Sequence, residues 1–215
     1  MVSQAGESGI NAGALEALRP AIAMLSAAHA YRDPFAVRHQ ERTSQLAVAI
    51  GVQLGLGPQR LEVLRLAAMV HDIGKIALPA DILGKPDALS NAEHALVKTH
   101  CAIGYGILQN LHSPLPIAEI VYQHHERLDG SGYPRGLSGE CILLEARILS
   151  VADVYDALTS NRAYRPGMPA AFVLEKLHAM AGSLHDKDAV EACQYCILTE
   201  SSTDSGTQAA YLLGN

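Results

Sequence analysis

From Pro34 onward the chain is a succession of helix-length apolar runs, each closed off by turn signals, with no convincing strand among them. "RDPF" offers Asp33 as an N-cap and Pro34 at the first helical position. "GLGP", residues 55–58, stops the helix that follows. Ser90 and Glu93 have capping-box spacing at the start of another run. Trp is absent and Phe occurs twice, so a core must rest on Leu, Ile, Val and Ala, which favours helices. Helices are expected over residues 14–31, 34–54, 59–73, 90–111, 116–125, 142–160, 169–181 and 187–199. The fold class is all-α, a bundle of about seven or eight helices. No internal repeat is visible. Residues 1–12 and the last fifteen are small and polar, and read as loose ends.

The net charge of −6 speaks against a nucleic acid polymer as partner, because a basic face is missing. A small phosphate ester needs only a few focused cations or metals. The apolar run "LAVAIGVQLGLG" is too short and broken to span a bilayer, no signal-peptide pattern opens the sequence, and a cytoplasmic, membrane-free domain is expected. Four cysteines suit a reducing compartment; Cys193 and Cys196 form a CxxC that reads as two neighbours on a helix.

Chemistry concentrates on a few of the ten histidines. His71 and Asp72 end the apolar run "LRLAAMV", where leaving either buried and unpaired would cost several kcal/mol. A satisfied pair is the plainer reading of two such residues taken alone. Asp153 shifts the balance, because it stands in the apolar helix "ILSVADVYDAL" with no partner in view. Asp156, one turn on, reads as a cap or a solvent-facing residue. His39, His71, Asp72 and Asp153 supply four ligands to one ion, and Mn, Fe or Zn would suit them. His100, His124 and His125 remain for a second ion, with Asp72 bridging. Two such ions clamp a phosphoryl group and acidify a water, the chemistry of metal-assisted phosphoester hydrolysis. Lys75, three residues past Asp72, would reach a phosphate oxygen or the leaving oxygen; a solvated lysine is the alternative.

The pieces "HDIGKIALPADIL", "KTH", "QHHERLDGSGYPRGL" and "EARILSVADVYDALTSNRAYR", in this order, resemble the HD-GYP family of bacterial phosphodiesterases over residues 31–190. The resemblance implies an HD-superfamily helical fold and hydrolysis of cyclic di-GMP to pGpG or GMP at a binuclear centre of Fe or Mn. It makes residues 31–199 the catalytic domain, between an N-terminal segment and helix over 1–30 and a tail over 200–215. It places metal ligands on His39, His71, Asp72, His100, His124, His125 and Asp153, with Asp72 and Lys75 in catalysis. It puts substrate contacts on Lys75, Tyr133, Arg162, Arg165 and Asp33. Arg162 and Arg165 are cations three apart, suited to phosphate or guanine, and Tyr133 suits stacking on a base. Gly130 and Gly132 are read as giving their loop backbone freedom. Three-metal members carry a glutamate one turn before the first histidine; here Phe35 stands there, so two metals are expected. The family implies a GGDEF-domain partner at the GYP loop. Two alternatives stay open: hydrolysis of another cyclic dinucleotide, and a cyclic di-GMP- or GGDEF-binding module with weak catalysis.

Overall fold

The computed structural model describes residues 12–32, 34–85, 87–161 and 166–203. Within them lie ten α-helices: α1 (Ala12–Arg32), α2 (Pro34–Gln53), α3 (Pro58–Val70), α4 (Ala80–Leu83), α5 (Asn91–Lys98), α6 (His100–Gln109), α7 (Ile117–Gln123), α8 (Leu144–Thr159), α9 (Ala170–Met180) and α10 (Lys187–Thr203). Two 3-10 turns, Ile73–Ala77 and Gly139–Cys141, complete the regular structure of the described residues, whose β-pairing is limited to isolated bridges. The all-α expectation therefore holds. The helix count exceeds it because Ala80–Leu83 forms a short turn of its own and the predicted 90–111 helix divides at Thr99. There the Thr99 hydroxyl donates to the Leu96 carbonyl at 2.6 Å, and the Thr99 N–H bonds the same carbonyl. A side chain thus competes with the continuing helical ladder.

The predicted punctuation works as physics requires. Pro34 and Pro58 open α2 and α3, where a missing N–H costs nothing. Gly55 takes φ +74° just past α2, a left-handed position that closes the helix. The Ser90 side chain accepts from the Glu93 N–H at 3.3 Å, and the Glu93 carboxylate accepts from the Ser90 N–H at 2.7 Å, so the capping box is complete.

α2, α3 and α8 form the centre, with α1, α7, α9 and α10 packed around them. The core is aliphatic, as the lack of large aromatics dictates: Ile22, Ile50, Leu64, Leu66, Ile120, Ile148, Leu149 and Leu177 are fully buried. Cys193 and Cys196 are buried neighbours on α10. Among the described residues no helix is long and apolar enough to cross a membrane.

Candidate metal centre

The site is built where helices end. α3 and α7 stop just before His71 and His124, and His100 follows the junction of α5 and α6 at Thr99; helix ends leave carbonyls without intrahelical donors. His71 Nδ1 lies 2.8 Å from the Ala68 carbonyl, His100 Nδ1 2.8 Å from that of Val97, and His124 Nδ1 2.6 Å from that of Val121. A carbonyl only accepts, so in each ring Nδ1 carries the proton, and the neutral form presents its lone pair at Nε2. The three Nε2 atoms turn towards one region. The C-termini of α3 and α7, with their negative partial charge, favour a cation there.

Two carboxylates complete the cluster. Asp72 is buried, with Oδ2 3.5 Å from His71 Nε2 and 4.0 Å from His39 Nε2, while Oδ1 lies 3.4 Å from His100 Nε2. Its two oxygens thus face two different sets of imidazoles. Asp153 reaches in from α8, with Oδ1 3.1 Å from His39 Nε2 and 3.6 Å from His71 Nε2. His125 sits edge-on to His100 and tilted against His124, at ring-centroid distances of 5.1 and 4.0 Å. His39, His71 and Asp72 offer donor atoms within 4.8 Å of one another, as do His100, His124, His125 and Cys101.

The electrostatics of the chain by itself are unresolved in a telling way. His71 Nε2 is buried without a hydrogen-bond partner among the described residues. His100 Nε2 and His124 Nε2 stand 3.4 Å apart, each a lone pair by the argument above, so no proton joins them. Burial pushes His125 down to about 3, against the opposite pull of Asp153, and holds His124 well below the usual histidine range. These rings are neutral near pH 7, the state a metal ligand requires. Burial opposes charge on Asp72 as well, but Lys75, His71 and His100 outweigh it and keep the carboxyl well below its usual range. Burial likewise resists charge on His39, yet Asp153 and Asp156 push it up to about 9. Buried lone pairs and anionic carboxylates facing a common space are a donor set that a divalent cation fits.

Lys75 donates to Asp72 Oδ2 at 2.5 Å, placing its ammonium at the edge of the cluster. Tyr133 lies against His125, ring centroids 4.8 Å apart, with Lys98 Nζ 5.0 Å from its ring centre. Asp33, Arg162 and Arg165 fall outside the described residues, and the side chain of Phe35 is likewise not described. A separate cavity of about 600 Å³ lies between Tyr105 and Glu119, away from all of these donors.

Several residues that sequence reasoning passed over matter here. Asp156 neither caps nor faces solvent. It is buried, accepts from His39 Nδ1 at 2.6 Å, and is clasped by Arg42 at 2.5 and 3.0 Å. That commits Nδ1 of His39 and leaves Nε2 for the cluster. Its place one turn after Asp153 was the available signal. Glu126, directly after the paired histidines, is buried and accepts the backbone N–H groups of Arg135 and Leu137 at 2.7 and 3.0 Å, pinning the glycine-rich loop to the histidines. Gly130 has φ +80°, as the sequence reading required. Gly132 is needed for a different reason: a Cβ there would meet the Arg127 nitrogen at 2.4 Å and Glu126 Cα at 2.5 Å. Glu126→Ala orphans two N–H groups and should cost about 1–3 kcal/mol in denaturant-unfolding free energy. The variant should also speed proteolysis of residues 129–138; unchanged stability and cleavage would exclude this anchoring role.

An HD domain family model matches residues 23–189. The cyclic di-GMP phosphodiesterase response regulator RpfG of Xanthomonas campestris pv. campestris (strain 8004) is 43% identical over 177 residues, covering 81% of this chain and 47% of that protein. The 3'3'-cGAMP-specific phosphodiesterase 1 of Vibrio cholerae serotype O1 (strain ATCC 39315 / El Tor Inaba N16961) is 39% identical over 137 residues, covering 64% of this chain and 32% of that protein. The chain thus spans less than half the length of either relative. Among solved structures, Bd1817, a HDG"Y"P protein from Bdellovibrio bacteriovorus, superposes with a TM-score of 0.64 at 26% identity, covering 75% of this chain and 52% of that one.

Proposed function

Because the chain belongs to the HD domain family, in its HD-GYP branch, we propose that residues 31–199 form a metal-dependent phosphodiesterase domain that hydrolyses cyclic di-GMP to pGpG or GMP. The observation that carries this reading is the facing pair of lone pairs on His100 and His124, beside the partnerless Nε2 of His71 and the two-sided carboxylate of Asp72. A donor set of that kind is one that divalent cations fit. His39, His71 and Asp153 would hold one ion, His100, His124 and His125 a second, and Asp72 would touch both. Two divalent ions, Fe or Mn in this reading, would polarise a phosphoryl oxygen and acidify a water.

The protein's own groups do the rest. Asp156 and Arg42 hold the His39 ring in register. Lys75 brings a cation to the edge of the cluster, where it would meet a phosphate oxygen or protonate the departing ribose oxygen. Tyr133 supplies an aromatic surface for a guanine, and Arg162, Arg165 and Asp33 further contacts to the dinucleotide. A GGDEF-domain partner would bind the glycine-rich loop that Glu126 stiffens, and a cytoplasmic location suits a second-messenger substrate.

A second reading, hydrolysis of a cyclic GMP-AMP dinucleotide, is favoured by the similarity to the Vibrio cholerae enzyme named for that substrate. The deciding experiment is turnover of cyclic di-GMP, 3'3'-cGAMP and cyclic di-AMP by the chain loaded separately with Fe(II) and Mn(II). The proposal expects cyclic di-GMP to have the highest kcat/KM. Preference for 3'3'-cGAMP would establish the second reading, and no turnover of any of the three would remove both.

A further inference from the structure

The second donor set contains a residue outside the predicted ligands. Cys101 is fully buried, and its Sγ stands 3.5 Å from His100 Nε2. The sulfur shares a 4.8 Å sphere with the donor atoms of His100, His124 and His125. Donors bound to one ion at about 2.0–2.3 Å stand no more than roughly 4.6 Å apart. From His100 Nε2 the distances are 3.4 Å to His124 Nε2, 3.4 Å to Asp72 Oδ1 and 3.5 Å to Cys101 Sγ. Each one lies within that span. A cysteine placed only for packing has no reason to aim its sulfur at the lone-pair side of a ligand ring. The competing role is a thiol donating its weak hydrogen bond to His100.

We propose that Cys101 is a ligand to the ion held by His100, His124 and His125. This rests on the metal-centre reading above. On binding, the S–H bond breaks, a sulfur–metal bond forms, and the proton leaves to solvent. The centre is then asymmetric. The half around His39, His71 and Asp153 has only nitrogen and oxygen donors, which suit Mn. The half around His100 gains a soft sulfur, which favours Zn or Fe(II) over Mn.

The test is titration of Co(II) into the metal-free chain, with cobalt content by elemental analysis and thiolate-to-cobalt charge transfer by near-ultraviolet absorption. Two cobalt ions and a charge-transfer band are expected in the unaltered chain. The band should persist in Cys141→Ser and in the Cys193→Ser/Cys196→Ser double variant. It should vanish in Cys101→Ser, which should also lose about tenfold or more of its preference for Zn over Mn. Two cobalt ions with no band in the unaltered chain would overturn the ligand assignment and leave the metal centre standing. A folded chain that binds no cobalt would overturn both. The unaltered chain and the control variants decide the question even if Cys101→Ser does not fold.

Discussion

Asp72→Asn is expected to lower cyclic di-GMP turnover by at least about a thousandfold, since metal Lewis-acid stabilisation is worth several kcal/mol and each 1.36 kcal/mol is tenfold in rate. The amide keeps the shape of the carboxylate and removes its charge. In the native chain that charge is held by Lys75 and the surrounding imidazoles, with one oxygen towards His71 and His39 and the other towards His100. Losing it removes a group that faces both donor sets. Bound metal should fall from two ions per chain to one or fewer, with an unchanged helical circular-dichroism spectrum. Lys75 is left without its partner but is partly exposed, so folding should survive. Retention of two ions and normal turnover would exclude Asp72 from the centre.

The second large effect comes from a residue with no polar atom beyond its backbone. A Cβ on Gly74 would lie 1.9 Å from the His100 carbonyl oxygen and 2.7 Å from the Gly104 nitrogen, both backbone atoms that cannot rotate aside. Gly74 lets the Ile73–Ala77 turn press directly against α6, which fixes Asp72 relative to His100. Gly74→Ala should therefore cost about 3 kcal/mol or more, at the upper end for overpacking, read as a lowered urea midpoint. Metal affinity should fall with it, because the two donor sets would no longer share Asp72. A midpoint within error of the native chain would show that the turn and α6 separate at no cost.

These two positions illustrate what the sequence makes legible. His71, Asp72 and Asp153 stood out because each is polar within an apolar helical run, and the structure brings them to one place. The helices were readable because local signals bound them: the Ser90–Glu93 box and Pro58 open helices and Gly55 closes one, each within a few residues. The break at Thr99 was not, since a hydroxyl-to-carbonyl bond inside a helical pattern leaves no mark on periodicity. The role of Gly74 is not legible in the sequence, because the carbonyl it must avoid belongs to residue 100. Asp156 and Arg42 are 114 positions apart, and only the folded chain shows that they meet. Glu126 and Cys101 each stand beside a histidine in the sequence, with no further mark. Their roles depend on loop backbone and on ring orientation, and neither has a sequence period.

The seven ligand assignments can be tested together by anomalous diffraction from crystals of the manganese-loaded chain. Two anomalous peaks about 3.5–4 Å apart are expected, one beside His39, His71 and Asp153, the other beside His100, His124 and His125, with Asp72 between them. A fully loaded crystal with one peak, with a third, or with none among these side chains would contradict the binuclear account.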